Sequence, residues 1–237
     1  RFDALLKQRK ETGTEELPDF REAISLEDLS FGYEGTRSLF QDLSFRFEAG
    51  KRYLVTGKSG SGKSTLLSLL SGYYPDYGGS IRIDGRELRK IKRDSLHALI
   101  GMVSQDTFFF QDTLRNNVTL YDDSYRTPEI EAAMEQAGLK DFLKALPQGL
   151  ATVLAENGKN LSVGERQRLG LARALLRKSK ILLLDEFTAN LDRATAEEIE
   201  AALSGRTDCL TITVTHHLEP DALSRYDGQV VLGDNVF

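Results

Sequence analysis

The segment that most limits the fold is Gly57-Lys58-Ser59-Gly60-Ser61-Gly62-Lys63-Ser64. It follows an apolar run, Arg52-Tyr53-Leu54-Val55-Thr56, that reads as a strand. It opens a stretch from Lys63 to Leu70 in which Leu66, Leu67, Leu69 and Leu70 supply an apolar side and predict a helix. The segment fits G-x-x-x-x-G-K-[ST], and strand before with helix after is the context that gives this pattern meaning. Glycines let backbone N–H groups close around phosphate oxygens, and the helix N-terminus adds a favourable dipole. In this pattern Lys63 reaches the β- and γ-phosphates of a nucleotide, and the Ser64 hydroxyl ligates Mg2+.

Downstream, Ile181-Leu182-Leu183-Leu184 is a continuous apolar run, as for a strand buried on both faces. Asp185 ends it. A carboxylate at the C-terminal end of such a strand points into the ligand crevice of an open α/β sheet. That makes Asp185 a direct or indirect Mg2+ partner. Glu186 follows, faces a different direction, and is placed to position or polarise an attacking water. Two adjacent acids at the end of an apolar run are costly without a cation or donor nearby.

The rest of the chain supplies the frame. Residues 1–22 are polar and charged, with a short helix expected over 2–10 and a linker from Glu11 to Pro18. Ile24, Leu26, Leu29 and Phe31 begin a strand-like pattern, as do Leu43, Phe45 and Phe47. Ser80 to Gly85 alternates and ends in Asp-Gly, a strand with a turn signal. Pro128 opens a helix expected to run through Ile130, Met134, Leu139, Phe142 and Leu143. Further helices are expected from Gly164 to Arg177 and from Ala194 to Leu203, the latter stopped by Gly205. Leu210 to Thr215 reads as another buried strand. Strand–helix alternation after residue 50 implies a mainly parallel sheet covered by helices. The pattern before residue 50 implies an added antiparallel β layer.

Bulk properties exclude some classes. The chain has 237 residues, 40% hydrophobic and 28% charged, with net charge −5. That balance is ordinary for a globular protein and gives no global reason for nucleic-acid binding. Cys209 is the single cysteine, so no disulfide framework or thiolate metal cluster is available; it reads as a small buried hydrophobe. No apolar stretch reaches the length of a membrane span, and the charged N-terminus does not resemble a signal peptide. The opening Arg1-Phe2-Asp3, without Met, reads as a piece of a longer or processed chain.

From about residue 24 to 233 the chain resembles the nucleotide-binding domain of an ABC transporter. Several separate motifs carry the likeness. Tyr33, in Phe31-Gly32-Tyr33, matches the aromatic residue that stacks on adenine. Gln105, in Met102-Val103-Ser104-Gln105, matches the glutamine that senses Mg2+ and contacts the transmembrane partner. Leu161-Ser162-Val163-Gly164-Glu165 matches the signature loop, and Ala189-Asn190-Leu191-Asp192 the loop that crosses a dimer interface. His216, after Val214-Thr215, matches the switch histidine that contacts γ-phosphate; its neighbour His217 does not.

The resemblance implies an α/β fold: a P-loop NTPase (RecA-like) core, an N-terminal antiparallel β layer and an α-helical signature subdomain. Residues 1–22 would link to an absent transmembrane domain. The ATPase domain would cover 23–237, with the helical subdomain at about 86–165. ATP and Mg2+ are the implied ligands. Gly57, Lys58, Ser59, Gly60, Ser61, Gly62, Lys63, Ser64 and Thr65 would bind nucleotide with Tyr33, while Ser162 and Gly164 complete a partner's site. Ser64, Gln105 and Asp185 would serve the metal; Glu186, His216, Lys63 and Gln105 would serve hydrolysis. The implied partners are a second nucleotide-binding domain, identical or different, and transmembrane domains fused N-terminally. The implied location is the cytoplasmic face of the plasma (inner) membrane, with this piece itself soluble and no nucleic acid bound.

Three stretches look exporter-like: Gln105 to Asn117, Thr152 to Gly158 with the acid Glu156, and the linker-like Arg1 to Leu6. An importer subunit is the alternative. A non-transport ATPase acting on DNA or ribosomes, and a regulatory module without turnover, fit less well. Two features depart from the family. The signature usually reads L-S-G-G-Q, but Val163 and Glu165 stand at its third and fifth positions. Val163 adds bulk where a flexible glycine is usual, and Glu165 adds a negative charge that a helix start tolerates. The expectation is a weakened contribution to the partner's site, as in an asymmetric exporter pair. The chain also stops at Val236-Phe237, where the family usually continues into short helices.

Overall fold

The computed structural model describes residues 13–35, 38–104, 107–215 and 222–233. Strands β1 (Ala23–Phe31) and β2 (Phe40–Glu48) pair antiparallel. β3 (Arg52–Gly57) runs into the glycine-rich loop and helix α1 (Lys63–Leu70). The hairpin β4 (Gly78–Ile83) and β5 (Arg86–Glu87) follows. Then come α2 (Arg93–Leu99), β6 (Ile100–Val103), α3 (Leu114–Thr119), α4 (Thr127–Gln136) and α5 (Lys140–Ala145). The chain continues with α6 (Val163–Leu176), β7 (Ile181–Asp185), α7 (Arg193–Ser204), β8 (Leu210–Val214) and β9 (Gly228–Leu232).

The strands form two sheets. One is antiparallel, in the order β2-β1-β4-β5, and the other is parallel, in the order β6-β7-β8-β3-β9. The period of two in β7 divides the interior. Ile181 and Leu183 join a core made by α1, β3, β8 and the antiparallel sheet. Leu182 and Leu184 join a second core with Val103, the buried face of α6 and the helices before it. Cys209 packs in that second core, and burial pushes its thiol up to about 11, which leaves it a small hydrophobe.

Three expectations change in detail. The helix from Pro128 is two helices, because Gly138 takes φ +68 between them. Gly138 N–H donates to the Glu135 carbonyl and Leu139 N–H to the Met134 carbonyl, the paired bonds of a left-handed helix stop. Within the span expected to be helical, β5 pairs with β4 and β6 with β7, so residues 86–87 and 100–103 belong to the sheets. The stretch read as linker lies against the body from residue 13. Thr14 and Glu15 N–H groups donate to the Lys90 carbonyl, and Leu17 and Phe20 are buried. The Asp84 carboxylate, in the β4–β5 turn, accepts from the N–H groups of Arg21, Glu22 and Ala23 and fixes the entry to β1. The helix expected over 2–10 lies outside the described residues. Among the described residues no helix is long and apolar enough to cross a membrane.

Candidate functional site

All five strands of the parallel sheet run the same way, so β3, β6, β7 and β8 end at one edge. That edge carries the glycine-rich loop. Gly57 has φ 152, and a Cβ there would lie 2.3 Å from the Leu232 carbonyl oxygen of β9. Gly62 caps α1 with φ 92, and its Cβ would lie 2.8 Å from the Phe40 ring. The β9 backbone fills one place and the Phe40 ring the other, so each position favours a residue without a side chain. No side chain caps α1 and its first turn holds no acid.

Lys63 is 4% exposed. Its ammonium donates to the carbonyls of Gly57 and Lys58, each at 2.9 Å. Burial pushes its pKa down, and the charges of Glu186 and Asp185 act against that shift. The two carboxylates at the end of β7 therefore share the field of the loop lysine. Asp185 is opposite Val214 in the β7–β8 register. Glu186 takes φ 49, left-handed for a non-glycine residue, and its N–H donates to the Val214 carbonyl at 3.0 Å. A non-glycine residue keeps such a backbone only where its surroundings over-determine it. Ser64 is exposed on the first turn of α1.

Tyr33 is 41% exposed beside α1. Its hydroxyl is 2.9 Å from the Thr65 hydroxyl oxygen, and its ring meets Phe31 and Tyr74 edge-on at 5.4 and 5.6 Å. The hydrogen bond with Tyr33 is the main reason the Tyr74 hydroxyl is pushed up to about 12. Tyr74 was not singled out from the sequence. It follows the end of α1 in a turn, where no periodicity marks an aromatic residue as a site member.

Ser162 and Gly164 form a separate cluster at the N-terminus of α6. The Ser162 hydroxyl accepts from Glu165 N–H at 3.2 Å, and the Glu165 carboxylate accepts from Ser162 N–H at 2.7 Å. This is a reciprocal cap. A Cβ on Gly164 would lie 3.0 Å from Leu191 Cδ2 and 3.1 Å from the Asn190 carbonyl oxygen. The signature turn thus rests on the loop that follows Glu186. Asp192 ends that loop by capping α7, accepting from Thr195 N–H at 3.0 Å, and these bonds hold its carboxyl below the usual range. Val163 is 41% exposed. Gln105 and His216, and with them the metal and switch expectations they carried, lie outside the described residues.

A nucleotide fits this donor set. The loop backbone, an uncapped helix N-terminus and a buried lysine together suit an anion. For magnesium, no group of three or more His, Cys, Asp or Glu able to hold a metal occurs among the described residues. Mg2+ is commonly held by one or two protein oxygens plus substrate phosphates and water, and Ser64 with Asp185 suits that pattern.

Residues 40–189 match the model of the ABC transporter family. An ATP-dependent lipid A-core flippase from Haemophilus influenzae (strain 86-028NP) is 38% identical over 216 residues, covering 90% of this chain and 37% of the flippase. An ATM1-type heavy metal exporter from Novosphingobium aromaticivorans is 39% identical over 202 residues, covering 84% of this chain and 33% of the exporter. Among solved structures, that of a bacterial Atm1-family ABC exporter with ATP bound superposes with a TM-score of 0.84 at 34% identity. It covers 96% of this chain and 40% of the other. This chain thus spans well under half the length of these relatives. Loop, strand-end acids, two-sheet architecture and relatives agree: the chain belongs to the ABC transporter family and is an ATP-binding domain of it.

Proposed function

We propose that this chain binds Mg-ATP, hydrolyses it to ADP and phosphate, and so powers export through a membrane domain. The observation that carries the reading is Lys63, buried on the glycine loop and within the field of both Asp185 and Glu186. The backbone from Gly57 to Gly62, with Ser59, Gly60 and Ser61, wraps the phosphates, and Lys63, Ser64 and Thr65 complete the grip. Tyr33 supports the adenine. Asp185, Ser64 and Gln105 serve magnesium, which when bound neutralises phosphate charge. Glu186 orients the attacking water and His216 steadies the γ-phosphate. Catalysis here is positioning and electrostatic stabilisation.

Ser162 and Gly164 cluster with Asn190 and Leu191, which supports the reading that they serve the site of a second nucleotide-binding domain. A membrane partner is supported by an exposed aromatic patch. Phe108 and Phe110 meet at 5.1 Å, and Phe110 and Tyr121 at 5.5 Å, all three exposed. Contiguous apolar surface of this kind marks a docking face. That partner would hold the chain at the cytoplasmic face of the membrane. The flippase and exporter relatives favour export over import.

Replacing Glu186 by Gln tests the chemistry. Phosphate release should fall about 10²- to 10³-fold, and Mg-ATP should then trap a dimer visible by size-exclusion chromatography. Unchanged hydrolysis rejects the role of Glu186.

A further inference from the structure

The proposed chemistry leaves Arg173, a well-connected cation, unused. Arg173 lies on α6, three turns beyond the signature serine. Its Nε donates to the Asn117 carbonyl at 2.7 Å, one Nη to the Phe108 carbonyl at 2.8 Å, and the other to Asn117 Oδ1 at 3.3 Å. Its guanidinium carbon sits 4.3 Å from the centre of the Phe109 ring. No ion pair among the described residues includes it, and burial pushes it down to about 10. Desolvating a cation without a counter-charge is costly. What the position gains is a planar fork that satisfies two carbonyls and an amide at once, which lysine cannot supply.

The groups it holds form one unit. Asn117 is buried, and its Nδ2 donates to the carbonyls of Phe110, Asp112 and Thr113 while its Oδ1 accepts from Phe110 N–H. The Tyr121 hydroxyl donates to the Asp112 carboxylate at 2.9 Å. Leu120 and Tyr121 take φ 54 and 64 in succession. Bulky residues adopt that backbone only where their surroundings over-determine it. The outer face of this unit is the aromatic patch of Phe108, Phe110 and Tyr121. At its other end, α6 begins at the signature turn packed on Asn190 and Leu191.

We propose that Arg173 is the positioning residue that makes the aromatic patch and α6 move as one body. The tie stands on this geometry. Its use, relaying movement between the signature turn and a membrane partner, rests on the function proposed above.

Hydrogen exchange of the full chain, read by mass spectrometry, tests the tie. Without nucleotide, Arg173→Lys should speed exchange in residues 108–121 about 10-fold, with β7 unchanged and the melting temperature retained. In a Glu186→Gln background, Mg-ATP should alter exchange in both 161–170 and 108–121, and adding Arg173→Lys should abolish the second response alone. Equal nucleotide-free exchange in 108–121, within twofold of the parent, overturns the proposal. So does a response at 108–121 that survives the substitution. If Arg173→Lys does not fold, Phe109→Leu, which removes the ring beneath the guanidinium, should show the same change in weaker form, and its absence overturns the proposal. If Mg-ATP alters neither peptide in the parent, the nucleotide reading fails, while the nucleotide-free comparison still decides the tie.

Discussion

Two helix N-termini in this molecule meet the same physical demand in opposite ways. The first N–H groups of any α-helix lack an intrahelical acceptor, and the dipole makes that end attractive to an anion. α1 begins at Gly62 with no side-chain cap and no acid in its first turn. α6 begins at Ser162 with a reciprocal cap that includes the carboxylate of Glu165. One end has no side-chain cap and no acid; the other carries both. The difference shows why sequence around a helix start says what it is for. Glycines and a lysine prepare a receptor, whereas Ser-x-x-Glu prepares a stop that satisfies itself.

The largest effect expected from breaking this contrast is at Lys63. Substituting Met removes the buried cation of the α1 receptor and should lower phosphate release about 10²- to 10³-fold. Stability should hold or rise, because burial already disfavours the charged ammonium. Parallel phosphate-release assays and thermal melts read both. Hydrolysis within twofold of the parent would show that the receptor does not depend on its lysine.

A middle-sized effect is expected at Gly62. The residue takes φ 92, and an added Cβ would press on the Phe40 ring. The left-handed backbone alone disfavours Ala by about 1–2 kcal/mol, and the contact adds to it. Gly62→Ala should therefore shift the denaturant midpoint downward and weaken ATP binding together. A stability loss with unchanged ATP affinity would separate the loop's shape from its receptor role.

The receptor end was legible because its signal is local: glycines, a lysine and a serine at fixed offsets between a strand and a helix. The strand-end acids were legible for a similar reason, since an apolar run ending in Asp-Glu has few places to go. Other features escaped because tertiary contacts decide them. β6 is four residues long and includes Gly101, so pairing with β7 rather than propensity makes it a strand. Gly138 divides a stretch whose apolar spacing reads through it as one helix. Tyr74 joins Tyr33 through a turn with no pattern of its own. Glu165 is the instructive case. Its spacing from Ser162 is that of a capping box, yet set against the family's glutamine it read as a charge to be tolerated. The structure gives that carboxylate a partner, the Ser162 N–H at 2.7 Å.

The smallest expected effect sharpens the comparison most, because it separates the cap from the charge. Glu165→Ala removes both and should cost about 1 kcal/mol of stability, as lost caps do. Glu165→Gln keeps an oxygen able to accept from Ser162 N–H, removes the negative charge, and adds two N–H donors. Its stability should stay near that of the parent in chemical denaturation. If the internal carboxylate competes with a partner's phosphate at the α6 N-terminus, Gln should also strengthen Mg-ATP-driven dimerisation of the Glu186→Gln chain, measured as a lower ATP concentration for half-conversion. A Gln variant as unstable as Ala would mean that charge, not hydrogen bonding, makes the cap. Equal dimerisation with Glu and Gln would mean that the self-capped end receives a partner's phosphate as readily as an uncharged one, and the contrast with α1 would then be one of stability alone.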